Sequence, residues 1–307
     1  MSGPDRLDVV VVGSASRDVT ADDERGWRLG GAVAYGGLML ARLGLRAGVL
    51  LGADRPAASA AELRLLTDAG AELRLVRLGR GPVFENLETP TGRVQKCLEP
   101  GEPIPVDALP DAWRSVRTWL FAPVADELAE GWADVPSSDA LVALGWQGLL
   151  RELPSGGTTR RRAPRPSAFL HRADIVAVSR HDVEAATPVE SLRRLLRPGA
   201  TLLFTEGPAG GWRSVHRPDG TYERRRYPAI AAAREVDQTG AGDVFFAAYL
   251  AAQLGFVLGG SRRRGADLRL AAAAASLDVE AAGLAGVPDV AAVARRLRAS
   301  PGASRGG

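Results

Sequence analysis

The chain alternates short apolar runs with longer segments in which apolar residues recur at helical spacing. The first apolar run covers residues 7–13, and further strand candidates cover residues 47–52, 71–78, 119–122, 141–144, 173–178 and 201–207. Continuous apolar runs are typical of strands that are buried on both faces, as in parallel sheets covered by helices. The pattern therefore predicts an α/β domain with a mostly parallel sheet.

Helical periodicity lies between these strand candidates. Gly44 ends the first predicted helix, and a short charged helix is expected between residues 122 and 141. The longer helices are predicted over residues 32–43, 57–69, 244–254 and 268–281. Residues 83–98 instead predict a hairpin, because Pro90 and Gly92 stand where a type I turn accepts them.

A polar residue follows the first strand candidate. In open α/β sheets, ligands collect beyond the carboxyl ends of the strands, so Asp18 is a candidate for binding a polyol hydroxyl. The alternative is a turn aspartate that caps Thr20 or its neighbours.

A glycine-rich turn with an acidic end occupies residues 237–243. Gly240 and Gly242 carry no Cβ, so the backbone there can reach positive φ, and the first amides of the following helix attract phosphate. Asp243 would repel a phosphate, so it is a candidate base that takes the proton from an attacking hydroxyl. The turn favours phosphoryl transfer to an alcohol, and the alternative is an ordinary turn with an aspartate N-cap.

Composition excludes several other classes of site. Among the 307 residues, Lys96 is the only lysine and follows no glycine-rich turn, which excludes a Walker-type P-loop. Cys97 is the only cysteine, which excludes an internal disulfide and a cysteine-rich zinc site. No apolar stretch predicts a membrane span or a signal segment, so a cytoplasmic location is expected.

The formal net charge is only +3, and the arginines are scattered. The densest basic cluster, residues 160–165, lies among Gly, Ser and Pro and predicts a solvated loop, with a phosphate-facing or partner-binding role as the alternative. No concentrated basic surface is expected, so nucleic acid is not a predicted partner.

The turn at residues 237–243 reads Asp-x-Thr-Gly-Ala-Gly-Asp and precedes aromatic and small residues, and it resembles the C-terminal signature of ribokinase-like (PfkB) carbohydrate kinases. The resemblance covers about residues 9–297. It implies a three-layer α/β sandwich with a mostly parallel central sheet and a small, reduced β lid. The expected boundaries are one domain over residues 1–299, lid elements at about 18–31 and 83–98, and a flexible tail over 300–307.

The resemblance also implies a role for several residues of the acceptor site. Asp243 would be the base, and the developing charge on the phosphoryl group would be bound by the amides of Gly240, Ala241 and Gly242. The Gly30-Gly31 pair would lie near the sugar. Tyr35 stands where the family often has asparagine, which argues against simple pentose binding.

A second short match concerns residues 147–151, which follow a strand candidate. At such a strand end, Gln147 and Arg151 can face substrate or phosphate, and their segment resembles an element of the myo-inositol kinase branch of the family, which implies substrate binding. The alternative is a plain junction between a loop and a helix. This match favours an inositol-like acceptor.

On the donor side, the resemblance implies ATP together with Mg²⁺. The residues that would border the nucleotide are Thr205, Gly207, Gly210, Ser276 and Gly283. Asp182 stands where most members carry a glutamate that organises magnesium through water, although a helix cap formed by Ser179 and Asp182 is the alternative. Asp237 would neighbour a monovalent cation such as K⁺.

The expected activity is transfer of the γ-phosphate of ATP to a hydroxyl of a sugar or cyclic polyol. Two alternatives remain open: a nucleoside kinase of the same fold, and a ligand-binding sensor that retains the fold without catalysis. A homodimer is an oligomeric state that the resemblance allows.

Overall fold

The computed structural model describes residues 6–89, 92–217, 219–258 and 265–300. Within these residues, the centre of the molecule is a nine-stranded sheet. In spatial order its strands are β16 (Tyr222–Tyr227), β15 (Gly211–His216), β14 (Thr201–Thr205), β13 (Ile175–Ser179), β9 (Leu141–Gly145), β8 (Thr118–Phe121), β1 (Val9–Ser14), β4 (Ala47–Ala53) and β5 (Glu72–Arg77). The strands from β14 to β5 are parallel, whereas β15 and β16 run antiparallel at one edge.

Helices cover both faces of this sheet. The helices on one face are α1 (Ala32–Arg42), α2 (Arg55–Ala58), α3 (Leu63–Asp68), α6 (Ala241–Gln253), α7 (Ala266–Asp278) and α8 (Val290–Ala299). The other face carries α4 (Ala168–Arg172), α5 (Val189–Arg193) and several 3₁₀ turns. This arrangement is the predicted three-layer α/β sandwich, and the fold class is confirmed.

Strand β1 shows why the apolar runs form the centre. Val9 and Val11 pack into the core beneath α1 and α6, whereas Val10 and Val12 pack into the core on the opposite face. Because successive side chains of a strand point to opposite faces, a strand with two buried faces needs an apolar residue at every position.

A second sheet, which contains the segments predicted as lid elements, lies at the carboxyl end of β1 and is called the lid below. Its strands are β11 (Gly157–Thr158), β7 (Gly92–Glu99), β6 (Val83–Thr89), β2 (Ser16–Val19) and β3 (Trp27–Gly30), in that order. The segments predicted as lid elements supply β2, β3, β6 and β7, and residues 157–158 add β11, while the role of this sheet as a lid stays a prediction. The solvated loop expected around residues 160–165 is wrong in part, because β12 (Arg160–Arg161) pairs with β10 (Arg151–Glu152) in a two-stranded ribbon.

Some predicted helix boundaries are also wrong. The single helix expected over residues 57–69 is two short helices, because Asp54 caps a separate first helix by accepting a hydrogen bond from Ala57 N at 3.0 Å. The charged helix expected before β9 is a 3₁₀ turn at Glu130–Asp134. Helix α6 begins at Ala241, three residues earlier than predicted, so Asp243 lies inside its first turn.

Two predictions fall on residues that the structure does not describe: the hairpin turn at residues 90–91 and most of the tail, 301–307. Ser300 is described and is the C-cap residue of α8. Of the helices in the described ranges, none combines the length and apolar character that crossing a membrane requires.

Candidate active site

The glycine-rich turn forms the N-terminus of α6. Gly240 is the N-cap residue and has a left-handed backbone with φ of 88°, which favours glycine. A Cβ on Gly240 would overlap the ring of Tyr35, whereas a Cβ on Gly242 would meet nothing within 4 Å. The turn is therefore packed on one side and open on the other, where the first amides of α6 can contact an anion.

Asp237 holds the start of this turn in place. One of its carboxylate oxygens accepts a hydrogen bond from Thr239 N at 2.9 Å, and the other accepts one from Gly283 N at 3.3 Å. Gly283 has φ of 61° and follows α7. Asp237 thus joins the predicted anion-binding turn to a residue that sequence predicted for the nucleotide site.

Asp243 is half-buried in the first turn of α6, and its pKa is raised to about 7. The main cause is burial, which disfavours the charged carboxylate. The negative charge of Asp182 raises the pKa further, Arg151 lowers it, and Asp18 adds a smaller increase. These charged groups come from four separate segments of the sequence, and the fold brings them to one place.

Asp18 lies inside the lid strand β2, so the alternative of a turn aspartate is wrong. Ser16 Oγ donates a hydrogen bond to Asp18 Oδ1 at 2.9 Å. A Cβ on Gly30 would overlap the other carboxylate oxygen of Asp18, so only glycine at position 30 permits this approach. The predicted pair of Asp18 and Gly30 is thus brought together.

Gly31 and Tyr35 begin the next element. Gly31 is the N-cap residue of α1 with φ of 101°, and a Cβ there would overlap the carbonyl oxygen of Ser14. Tyr35 is 1% exposed, and burial raises the pKa of its hydroxyl well above the usual value, with Asp18 as the largest charged contributor. Tyr35 therefore lies between the lid aspartate and the turn at Gly240.

Gln147 and Arg151 lie in the segment after β9. Gln147 Nε2 donates a hydrogen bond to Asp182 Oδ1 at 3.1 Å. Arg151 Nη1 contacts Val124 O at 3.4 Å, and its guanidinium lies 5.8 Å from the centre of the Phe84 ring. Burial lowers the pKa of Arg151, and nearby carboxylates oppose that effect, Asp182 first.

Ser179 and Asp182 form a capping box, the alternative that the sequence left open. Asp182 Oδ2 accepts a hydrogen bond from Ser179 N at 2.8 Å, and Ser179 Oγ accepts one from His181 N at 3.2 Å. Since Gln147 bonds the other oxygen of Asp182, both oxygens already have partners. Direct metal binding by Asp182 would compete with these hydrogen bonds for its carboxylate oxygens.

Among the described residues, the acidic side chains do not form a protein-only magnesium site. Within the ranges given above, no group of three or more His, Cys, Asp or Glu side chains is arranged to hold a metal ion. Magnesium often keeps several waters and binds through one or two carboxylates plus the phosphates of a substrate. The residues present fit only that second kind of binding.

The residues of the β14 turn that were predicted to border the donor nucleotide differ in the room that they leave for a ligand. Thr205 ends β14, and Gly207, with φ of 55°, has nothing within 4 Å of the position of a Cβ. Gly210, with φ of 84°, packs against the backbone of Tyr227 instead, so its lack of a side chain serves packing. Gly207 is therefore the glycine of this turn that leaves room for a ligand.

Ser276 is not available to a nucleotide in this structure. It is 5% exposed, its Oγ donates to Ala273 O at 2.9 Å, and it accepts a hydrogen bond from Arg296 Nη1 at 3.0 Å. Arg296 also pairs with Glu280 at 2.5 Å. Ser276 thus connects α7 to α8, a role that its position in an alanine-rich segment does not indicate.

Two buried carboxyl groups near the site were not predicted. Asp278, at the end of α7, is 1% exposed, and neither carboxylate oxygen has a hydrogen-bond partner among the described residues. Burial raises its pKa to about 8, with further increases from Asp243 and Asp237. The only sequence feature that could have indicated Asp278 was an acid within an alanine-rich helix.

The second buried carboxyl group is Glu127, which follows β8. No feature of the neighbouring sequence indicated that it would be buried.

No protein-family model matches the chain, and a search of curated protein sequences found no match. Among solved structures, a pyrophosphate-dependent kinase in the ribokinase family, complexed with a pyrophosphate analogue and myo-inositol, has a TM-score of 0.70 at 20% identity. That match covers 95% of this chain and 100% of the other.

Two further structures are similar over nearly the whole chain. Arabidopsis thaliana ribokinase, complexed with ribose and ATP, has a TM-score of 0.66 at 21% identity, covering 95% of this chain and 99% of the other. A nucleoside kinase from Methanocaldococcus jannaschii, an archaeal member of the ribokinase family, has a TM-score of 0.63 at 16% identity, covering 96% and 99%. The chain therefore has the ribokinase-like fold.

Proposed function

We propose that this protein is a phosphotransferase that moves the γ-phosphate of ATP to a hydroxyl of a sugar or cyclic polyol, with an inositol-like acceptor favoured. The observation that carries the proposal is Asp243, a carboxyl with a pKa of about 7 in the first turn of a helix whose open amides can bind an anion. A general base is most effective when its pKa lies near the working pH.

In the proposed reaction, the side chain of Asp243 and the backbone amides of the same turn have different roles. Asp243 takes the proton from the acceptor hydroxyl while that oxygen forms a bond to the γ-phosphorus, and the bond from this phosphorus to the β–γ bridging oxygen breaks to release ADP. The amides of Gly240, Ala241 and Gly242 stabilise negative charge on the transferred group. The open space beside Gly242 leaves room for that group.

The acceptor would lie between the lid and Asp243. Asp18 can accept hydrogen bonds from hydroxyl groups, and Arg151 can donate to hydroxyl or phosphoryl oxygens. Both side chains influence the pKa of Asp243, which supports a common site. A ring that carries several hydroxyls can use both partners at once, which favours a polyol. Gln147 would act indirectly, because it bonds Asp182.

The donor would approach Gly207 and the N-terminus of α6. Magnesium would enter with the donor phosphates and neutralise part of their charge, and Asp182 would contact it through water. Asp237 as the neighbour of a monovalent cation such as K⁺ stays a prediction, as do the homodimer and the cytoplasmic location. A nucleoside acceptor and a non-catalytic sensor are the competing functions.

The test is acceptor-dependent release of the donor product in magnesium buffer, measured across pentoses, hexoses, inositols and nucleosides. ATP and pyrophosphate are compared as donors, because one similar structure is of a pyrophosphate-dependent kinase. The proposal expects stimulation by polyols with ATP. Stimulation by nucleosides alone supports the nucleoside kinase, and ligand binding without transfer supports the sensor.

A further inference from the structure

Glu127 is a buried acid, 2% exposed, that the proposed chemistry does not use. Its carboxylate accepts hydrogen bonds from three backbone amides: Ser14 N at 2.8 Å, Val124 N at 3.0 Å and Ala125 N at 2.8 Å. Burial raises the pKa of Glu127, and these amides oppose that effect. Buried charged groups are costly unless they are well bonded, so these bonds fix the backbone around the carboxylate.

The hydrogen bond from Ser14 N to Glu127 lies at the junction between the central sheet and the lid. Ser14 is the last residue of β1, and the lid strand β2 begins at Ser16 and carries Asp18. Ala15 N donates to Gly52 O at 2.9 Å, so the junction is bonded on both sides. Glu127 therefore helps to set the direction in which the strand with Asp18 leaves the central sheet.

The hydrogen bonds from Val124 N and Ala125 N to Glu127 lie in the turn on which the segment with Arg151 packs. Val124 O is the carbonyl that Arg151 Nη1 contacts at 3.4 Å, and Gly148 N donates to Pro123 O at 3.2 Å. A Cβ on Gly148 would overlap the carbonyl of Pro123, so the segment packs directly on this turn. By bonding Val124 N and Ala125 N, Glu127 fixes the surface against which Arg151 is placed.

We infer that Glu127 is a positioning residue for the acceptor: one carboxylate joins the strand that carries Asp18 to the turn that supports Arg151, and so sets the distance between the two groups proposed to bind the acceptor. This inference rests on the proposed function. The donor-side residues Thr205 and Gly207 lie on a different strand end, and no hydrogen bond described for Glu127 reaches them.

The variant Glu127→Gln tests this arrangement. All three partners of Glu127 are donors, and an amide side chain replaces one acceptor oxygen by a donor, so at least one backbone N–H loses its partner. The expected result is a KM for the acceptor raised ~10-fold or more, because small errors in placement are costly in catalysis. The KM for ATP should stay within about twofold, because the mechanism leaves the donor side intact.

The matched control is Glu130→Gln, which changes an exposed acid in the same segment and should leave both KM values unchanged. A parallel change in both KM values of Glu127→Gln would show a general structural role and overturn the inference, as would an unchanged acceptor KM. If Glu127→Gln does not fold, Gly148→Ala decides, because it displaces the Arg151 segment from the same turn and should give the same acceptor-specific effect.

Amide hydrogen exchange separates this inference from the proposed function, since it needs no turnover. In Glu127→Gln, exchange should accelerate at residues 14–19 and 147–151 and stay unchanged at 241–245. If the wild-type protein transfers no phosphate, the proposed function fails, and this pattern still tests whether Glu127 joins the two segments. Acceleration confined to one of them would overturn the inference.

Discussion

The ring of Tyr35 lies against Gly240, so closely that any side chain at position 240 would overlap it. This contact connects α1, whose first residues follow the lid, to the turn proposed to bind the transferred phosphoryl group. A buried aromatic ring thus fixes one side of that turn.

Gly240→Ala should therefore reduce both stability and turnover. The φ of 88° strains an alanine, and its methyl group would displace Tyr35 or the turn. We expect a cost of about 1–3 kcal/mol in unfolding free energy, measured by denaturant titration. Gly242→Ala is the matched control: its methyl group points into open space and its backbone is helical, so its stability should equal or exceed that of the wild type. Equal stability of both variants would contradict the described packing.

The dependence of turnover on pH should follow Asp243. A base must be ionised to accept a proton, so kcat/KM should rise with pH and level off above about 7, the pKa of Asp243 in the folded protein. A rate that is flat from pH 5 to pH 9 would exclude Asp243 as the group whose ionisation limits the reaction.

Two substitutions should shift, in opposite directions, the pH at which kcat/KM rises. Arg151→Gln removes a positive charge that lowers the pKa of Asp243, so the rise should shift to higher pH. Asp182→Asn removes a negative charge that raises the same pKa, so the rise should shift to lower pH. Shifts in the same direction for both variants would contradict the charge arrangement of the site.

Asp278→Asn should stabilise the protein at high pH. The folded pKa of about 8 exceeds the usual aspartate value of 3.8, so the folded state keeps a proton that the unfolded state has lost between those values. Wild-type stability contributed by this group therefore falls as pH rises from about 4 to 8, by up to ~1.4 kcal/mol per pH unit. Denaturant titrations in chelator-treated buffer should show the two proteins diverging as pH rises, and parallel curves would contradict the burial of an unpartnered acid.

The sequence predicted the centre of the fold well, because each buried parallel strand must be apolar on both faces, as β1 is. The sequence did not predict strands β15 and β16, because they are polar and contain no continuous apolar run. Arg224 and Arg226 of β16 stack on Trp212 of β15, at 3.6 Å and 5.1 Å from the ring centre, so charged side chains cover an aromatic ring in these strands.

For the site, the sequence indicated the residues whose type suits a local turn, such as Gly240 and Asp243. It did not indicate Glu127, because the three amides that it bonds are brought together only by the fold. The role of Ser276 between α7 and α8 depends in the same way on Arg296, which is distant in sequence.

In the proposed reaction, Asp243 takes the proton of the acceptor hydroxyl. The most direct measurement is the rate at which phosphorylated acceptor forms with wild-type protein and with Asp243→Asn, alongside the ATP affinity and thermal stability of both. We expect turnover to fall at least ~100-fold in the variant, while ATP affinity and folding are largely retained. Turnover by Asp243→Asn close to that of the wild type would contradict this role of Asp243.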